Sequence, residues 1–372
     1  MATLWRQCGW AVLCAGLLAS PMAVGQEAAP DAPALAAALR AVGKQPVIAV
    51  LALNEGTETT DFLVPHAVLR RAGVGTVEVV APKAGQVVLM PALEVQGARD
   101  MASFDAAHPN GADIVIVPAM HVDDDPAIVA WLKAQAAKGA TIVGICAGAR
   151  VLGRAGLLDG RRFTGHWYDR STLLRRHPGA VHVPDERYLA DGSVVTTTGV
   201  SASLPLSLAL VEALANTPRA RALAHELGVA GWGASHRSSR FGLNAAHVWT
   251  LTMNTLLFWR HERLRIQVED GADDIALALS ADAWSRTYRS RAEAVHPQAM
   301  SVRLRSGLVL NTMVARGDSA PSVVLGSERP ACALDKSLAA IGARYGTTTR
   351  RWVATQMEHA DDPLDGVCTA PD

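Results

Sequence analysis

Short, continuous apolar runs recur through the first half of the chain, and helical spacing follows most of them. The runs that we interpret as strands lie at 47–53, 76–81, 114–117, 141–145 and 194–197. Strands that are apolar on both faces are typical of a parallel sheet covered by helices on both sides. The alternation predicts a doubly wound, mainly parallel α/β sheet, on which ligands bind at the carboxyl ends of the strands.

Beyond Asn216 the alternation becomes less regular. We therefore predict one domain over residues 46–216 and a C-terminal α+β region of unknown role over residues 217–372. The strongly apolar stretch 245–260 is shorter than a bilayer requires and contains His247 and Asn254, so we predict a buried or inter-domain helix there rather than a membrane span.

The N-terminus has the pattern of a secretory signal peptide. Arg6 precedes a short apolar core at 10–18, and Ala23-Val24-Gly25 offers a small-x-small cleavage site. We predict a signal peptide over residues 1–25 and a linker over 26–45. An uncleaved anchor is the alternative. The expected location is exported, periplasmic or extracellular, with no further membrane span.

Charge and histidine spacing argue against several partners. The formal net charge is zero, which gives no long-range attraction for DNA or anionic lipid. No helix-turn-helix pattern stands in the C-terminal half, so we expect no nucleic acid as partner. His236, His247 and His261 lack the spacing of a zinc cluster, and we expect neither a metal nor an organic cofactor.

Export changes the interpretation of the cysteines. Cys146, Cys332 and Cys368 remain after the signal peptide is removed. An oxidising compartment favours a disulfide between Cys332 and Cys368, which lie in the same region, and would leave Cys146 as the single free thiol. The alternative is that Cys332 and Cys368 are unpaired.

Cys146 lies between a predicted strand and a predicted helix, in the order Gly144-Ile145-Cys146-Ala147-Gly148. This G-x-nucleophile-x-G pattern is typical of a sharp turn that needs both glycines and presents the central side chain above the sheet. The N-terminus of the following helix would stabilise a thiolate. A buried, inert cysteine is the alternative interpretation.

The segment Ile142–Trp167 (IVGICAGARVLGRAGLLDGRRFTGHW) resembles the ThiJ/PfpI superfamily, which has the class I glutamine amidotransferase-like fold. Two further blocks, Thr59–Gly73 and Pro184–Leu214, agree with it. The resemblance implies a flavodoxin-like sheet over a little under half of the chain. It is nearest the isocyanide hydratase branch and the sensor domains of AraC-type regulators.

The resemblance implies two partners for Cys146. Asp61 matches an acidic position that faces the cysteine, where it can move a proton; a helix N-cap is the alternative. Glu55 and Glu58 are nearby rivals that we expect to be solvated. His166 matches a histidine that approaches the cysteine, with a structural role beside Trp167 as the alternative.

The resemblance also implies a pocket lined by Ala119, Met120, Ala147 and Gly199. The chain departs from the family in two places. Pro118-Ala119-Met120-His121 stands where many members have paired glycines that form an oxyanion hole. Ala147 follows the cysteine, where the proteolytic branch has histidine and the isocyanide hydratase branch has threonine. A PfpI-type protease is therefore disfavoured, and hydratase activity is not secured.

The leading hypothesis is a cofactor-independent cysteine enzyme of hydratase, lyase or glyoxalase type that acts on a small electrophile. Cys146 would be the nucleophile and Asp61, with His166, would move protons. A non-enzymatic sensor of a small ligand or of oxidation is the competing hypothesis. A structural or chaperone-like role is the third. The expected partner is a small molecule, and a homodimer is left open.

Overall fold

A computed structural model describes residues 32–39, 42–43, 45–315 and 320–360. The predicted signal peptide and Cys368 lie outside these residues. Within them the α-helices are α1 (Ala32–Ala38), α2 (Thr59–Ala72), α3 (Met101–Ala107), α4 (Pro126–Ala137), α5 (Gly148–Arg154), α6 (Arg170–Arg176), α7 (Ser203–Leu214), α8 (Thr217–Leu227), α9 (Ala245–Leu256), α10 (Asp274–Ser285), α11 (Cys332–Tyr345) and α12 (Thr347–Gln356).

The strands fall into one large and two smaller sheets. Their bounds are β1 (Val47–Leu51), β2 (Glu55–Glu58), β3 (Thr76–Ala81), β4 (Gly85–Met90), β5 (Glu94–Asp100), β6 (Ile114–Val117), β7 (Thr141–Gly144), β8 (Arg162–Phe163), β9 (Val181–His182), β10 (Tyr188–Asp191), β11 (Val194–Thr197), β12 (Glu262–Gln267), β13 (Ser290–His296), β14 (Ser301–Arg303), β15 (Val309–Asn311), β16 (Met313–Val314) and β17 (Ser322–Val324).

The five predicted strands form the centre of the large sheet. β11, β7, β6, β1 and β3 lie side by side and are all parallel, which confirms the predicted α/β class. β10 closes one edge antiparallel to β11, and β5 continues the other side parallel to β3. The four residues of β6 and the four of β7 are buried, as expected for strands covered on both faces.

The C-terminal region extends this sheet. β15 pairs antiparallel with β5, and β14 pairs with β15. A second sheet in the order β16-β13-β12-β17 is parallel, and α10 connects β12 to β13. α10 packs along α2, with links from Arg71 to Asp273 (2.7 Å) and from Thr60 to Asp282 (2.9 Å). Apolar side chains of both regions share one buried cluster.

Of the two alternatives predicted for residues 245–260, a buried or an inter-domain helix, the buried one is wrong. The helix exists as α9, but within it only Thr250 and Asn254 are buried. Trp249 is 67% exposed, and Trp259, just beyond the helix, is 65% exposed. Apolar composition alone did not reveal that two polar residues anchor this helix. Across the described residues, no helix is both long enough and apolar enough to cross a membrane.

Candidate active site

Cys146 occupies a strained turn between β7 and α5. Its φ is +53°, a left-handed conformation that costs a non-glycine residue about 1–3 kcal/mol. A Cβ on Gly148 would lie 2.1 Å from the carbonyl oxygen of Val117, and a Cβ on Gly144 would lie 2.9 Å from Leu152 Cδ2. Packing therefore explains why glycine stands on both sides of Cys146.

The Cys146 thiol is enclosed, with 6% of the residue exposed. Its backbone N–H donates to Thr197 Oγ1 (3.0 Å) on the neighbouring strand. Burial, and next the charge of Asp61, raise the pKa of the thiol well above its ordinary value. This differs from the expected thiolate, because burial and the negative charges of Asp61, Asp169 and Glu58 all disfavour ionisation of the thiol.

Asp61 is completely buried in the first turn of α2. Its Oδ2 accepts the N–H of Ala119 (3.2 Å), and its Oδ1 accepts the hydroxyl of Ser203 (3.2 Å). Burial raises the pKa of this carboxyl to about 7, against the effect of these hydrogen bonds. Asp61 is thus poised to exchange a proton near neutral pH.

Glu58, not Asp61, is the N-cap of α2. Its Oε2 accepts the N–H of Asp61 (2.6 Å), and the residue is only 4% exposed. The expectation of a solvated Glu58 is therefore wrong, whereas Glu55 is exposed as expected. Burial and the neighbouring Asp282 raise the pKa of Glu58. Because Glu58 caps the helix, both carboxylate oxygens of Asp61 can accept from Ala119 and Ser203 instead.

Arg286, from the end of α10, brings a positive charge to this acidic cluster. It donates to Glu58 Oε1 (2.7 Å) and to Asp282 Oδ1 (2.6 Å). Burial opposes its charge, but Asp282 and Glu58 raise the pKa of the guanidinium above its ordinary value. The same charge acts on Cys146 in the direction of thiolate. Sequence reasoning missed Arg286, because its partner Glu58 lies 228 positions away along the chain.

His166 is directed toward the C-terminal region. Its Nε2 lies 3.0 Å from the carbonyl oxygen of Gln356, and its Nδ1 accepts the N–H of Tyr168 (3.3 Å). This arrangement requires the tautomer with the proton on Nε2. Both ring nitrogens thus contact backbone groups of Gln356 and Tyr168, and proton transfer between His166 and Cys146 stays a prediction.

Glu358 closes the pocket that the sequence predicted near Gly199. Its carboxylate accepts the N–H groups of Trp167 (2.7 Å) and Gly199 (2.9 Å), and Oε2 lies 3.2 Å from His236 Nε2. A Cβ on Gly199 would lie 2.8 Å from the Glu358 side chain. Glu358 itself has a φ of +50°. Burial opposes the charge of Glu358, but His236 and the N–H groups of Trp167 and Gly199 lower its pKa below the ordinary value.

The four predicted oxyanion donors differ in whether a carboxylate already accepts from their N–H groups. The N–H of Ala119 is committed to Asp61, and the N–H of Gly199 is committed to Glu358. Among the hydrogen bonds of the described residues, the N–H groups of Met120 and Ala147 have no protein acceptor. Their predicted role as donors to a substrate oxyanion stays a prediction.

A cavity lies beside this site and not at the cysteine. It has a volume of about 620 Å³, and its lining includes Thr60, Ser201 and Glu358 but neither Cys146 nor Asp61. We place the chemistry at Cys146 because the strained turn and the buried acidic groups converge there. Glu358 belongs to both places, since it lines the cavity and binds the N–H of Gly199.

Two further predictions concern the pairing of the cysteines and the presence of a metal site. Cys332 is disulfide-bonded, and its predicted partner Cys368 lies outside the described residues. Cys146 is a free thiol. Within the described ranges, no group of three His, Cys, Asp or Glu side chains is arranged to hold a metal ion.

Comparison with known proteins places residues 47–213 in a match to the model of the DJ-1/PfpI family. The chain is 30% identical over 172 residues to the zebrafish (Danio rerio) Parkinson disease protein 7 homolog, covering 45% of this chain and 88% of that protein. It is 34% identical over 98 residues to an isonitrile hydratase of Pseudomonas putida, covering 26% and 42%. It is 41% identical over 86 residues to the transcriptional regulator CdhR of Pseudomonas aeruginosa, covering 23% and 25%.

Among solved structures, a DJ-1 superfamily protein from Salmonella typhimurium is 26% identical, with a TM-score of 0.43. The alignment covers 49% of this chain and 97% of that one. The hydratase and the regulator are each matched over less than half of their length. The match to the zebrafish protein covers 88% of that relative. The segment 47–213 that matches the family model includes the Cys146 turn and Asp61. The chain belongs to the DJ-1/PfpI family.

Proposed function

We propose that the protein is a cysteine-dependent enzyme of hydratase, lyase or glyoxalase type that acts on a small electrophilic carbon, with Cys146 as nucleophile and Asp61 as proton acceptor. The observation that carries this proposal is the burial of Asp61 next to the strained cysteine turn, with its pKa at about 7. General bases work best when their pKa lies near the working pH.

Cys146 starts the reaction as a thiol, because burial and carboxyl groups raise its pKa. As Sγ bonds to the substrate carbon, the S–H bond breaks and its proton passes to the Asp61 carboxylate. For a carbonyl substrate, the electron pair of the C=O bond moves to oxygen, near the free N–H groups of Met120 and Ala147. For an isocyanide, the pair stays on carbon, and that carbon takes the proton.

Protonated Asp61 then returns the proton to the adduct. In a hydration, water adds to the same carbon and the C–S bond breaks, which restores the Cys146 thiol. Each step needs one thiol and one carboxyl group, and all of the protons are supplied by substrate, water, Cys146 and Asp61. Hydration, lyase and glyoxalase chemistry share this requirement.

Arg286 supports the site from the C-terminal region. Three carboxyl groups (Glu58, Asp61 and Asp282) lie in one buried cluster, and Arg286 supplies a positive charge that contacts two of them. Without that charge, burial would disfavour any ionised carboxylate there. We therefore assign Arg286 as a positioning residue that keeps Glu58 on the helix terminus and permits Asp61 to ionise near neutral pH.

Turnover of small isocyanides and 2-oxoaldehydes tests this proposal. Wild type should consume at least one of the two classes, and Cys146→Ser should lose activity at unchanged thermal stability. Ser171→Ala is the matched control, because it changes an exposed hydroxyl on α6 that takes no part in the site. Equal rates for wild type and Cys146→Ser would remove the cysteine mechanism.

A sensor role is the second candidate, and one observation favours it. The resting thiol is enclosed, and residues 356–358 hold the two loops beside it through hydrogen bonds to His166, Trp167, Gly199 and Ser201. A small ligand or oxidant that displaced this segment would change the C-terminal region. Ligand binding or oxidation of Cys146 with no turnover of any small electrophile would favour this candidate.

A further inference from the structure

Helix α9 is oriented with its polar side toward the protein. Thr250 and Asn254 are its buried residues, and Asn254 Nδ2 donates to the carbonyl oxygen of Thr287 (2.9 Å) and to Thr349 Oγ1 (3.3 Å). His261 Nε2 lies 2.8 Å from the Asn254 carbonyl oxygen. These contacts fix the helix, so its opposite side must face outward.

The outward side is apolar and aromatic. We define the aromatic face as five residues with these exposed fractions: Val248 45%, Trp249 67%, Leu256 60%, Phe258 69% and Trp259 65%. Trp249 and Leu256 are seven residues apart and so lie on one side of the helix. The Phe258 and Trp259 rings are 5.2 Å apart. A soluble protein rarely exposes several large apolar side chains together unless they meet a partner.

The chain segment that carries the aromatic face has charged side chains of one sign only. Residues 231–261 contain Arg237, Arg240 and Arg260 and no aspartate or glutamate. All three arginines are exposed. The whole chain is neutral, so this is a local feature and not a consequence of composition.

We propose that the aromatic face binds the surface of an anionic phospholipid bilayer, with α9 lying in the plane of the interface. Tryptophan is enriched at the level of lipid headgroups, and nearby arginines attract anionic lipid. α9 has 12 residues, which suits an interfacial helix and not a membrane span. A second copy fits less well, because two such faces would bring arginines together with no acidic residue in the segment to pair with them.

Sedimentation with phospholipid vesicles tests the proposal on the full chain. Wild type should bind vesicles of phosphatidylglycerol and phosphatidylcholine more tightly than vesicles of phosphatidylcholine alone, and tryptophan fluorescence should shift to shorter wavelength. Replacing Trp249 and Trp259 with serine should weaken binding by about tenfold for each residue, as expected for losing the burial of one large apolar side chain. Arg260→Gln should reduce the preference for phosphatidylglycerol.

Met300→Ser and Val324→Ser are the matched controls, because these side chains are 68% and 65% exposed outside the aromatic face. Both should bind vesicles like wild type. Unchanged thermal unfolding of the tryptophan variants would show that they fold. Absence of vesicle binding by wild type, or equal binding by the folded double tryptophan variant, would overturn the proposal. Self-association that disappears in that variant would instead assign the face to a second copy.

Discussion

The backbone of Cys146 is held in its strained conformation by contacts that involve no catalytic group. The turn is fixed because Gly148 lies against the carbonyl oxygen of Val117, where no side chain fits. Such strain persists only where the surrounding structure imposes it. Packing at the junction between β7 and α5 therefore determines the backbone conformation of Cys146.

Gly148→Ala should lower the free energy of unfolding by about 3 kcal/mol, because the new Cβ would force the turn and β6 apart. Urea denaturation monitored by fluorescence measures this difference. Gly43→Ala is the control, since no atom lies within 4 Å of a Cβ built at that position. Similar stabilities for the two variants would mean that the turn can adjust at little cost.

Asp61 links stability to pH. Its folded pKa is raised to about 7, so the folded protein holds a proton that the unfolded chain releases near the ordinary value of 3.8. Protonated Asp61 makes its whole contribution to the free energy of unfolding below the unfolded pKa of 3.8. This contribution is lost as the pH rises through the folded pKa of about 7. Asp61→Asn should remove this part of the pH dependence.

At pH 8, Asp61→Asn should be more stable than wild type, by on the order of 2–4 kcal/mol. Asparagine can accept from Ala119 and donate to Ser203, so the hydrogen bonds of Asp61 are preserved. Chemical denaturation at pH 5 and pH 8 checks the expectation. An identical pH dependence in the two proteins would contradict the raised pKa.

At the scale of elements, the contact between α2 and α10 assembles the acidic cluster. Glu58 begins α2, and Arg286 follows the last residue of α10. Arg286→Met should destabilise the fold by about 3–5 kcal/mol, because it leaves buried carboxyl groups without their counter-charge. Arg263→Met, at a side chain 73% exposed, should have an effect near zero.

The double variant Arg286→Met with Glu58→Gln separates charge from packing. If the loss in Arg286→Met comes from uncompensated charge, removing the Glu58 charge should recover part of it. Thermal unfolding of the single and double variants gives the coupling free energy between Arg286 and Glu58. Additive losses would show that Arg286 acts through packing alone.

We propose that residues 356–358, at and after the end of α12, limit access to the Cys146 thiol. Glu358→Gln keeps the size of the side chain but replaces one acceptor oxygen with a donor, so it loses a hydrogen bond to Trp167 or Gly199. We expect a loss of about 1–3 kcal/mol in stability and a several-fold faster reaction of Cys146 with a small thiol reagent. The exposed Glu269→Gln is the control. Unchanged reactivity would exclude residues 356–358 as the barrier.

For the molecule as a whole, local patterns predicted the elements of the family domain and the α+β class of the C-terminal region, but not the contacts between the two. Apolar runs placed β1, β6 and β7, and the glycines around Cys146 placed the turn, because each signal lies within a few residues. Arg286 and Glu358 reach the site through contacts across more than 150 positions, which no local pattern encodes. The apolar content of residues 245–260 predicted a helix, but it could not show which side of α9 faces the protein.

The C-terminal region is part of the site and not an appendage to it. It adds β14 and β15 to the large sheet, brings Arg286 to Glu58, and places Glu358 against Trp167 and Gly199. Its apolar side chains share a buried cluster with the family domain. The candidate site therefore includes Arg286 and Glu358, which lie outside the matched segment 47–213.

The most direct test of the account is the pH dependence of kcat/KM for an electrophile that the protein consumes, in wild type and in Asp61→Asn. We predict that the wild-type value rises with pH through about 7, because the Asp61 carboxylate must be free to accept the thiol proton. Asp61→Asn should lose most of the activity, about 10²–10⁴-fold, and the inflection near pH 7. An Asp61→Asn protein with the same rate and the same inflection as wild type would contradict the proposed proton transfer.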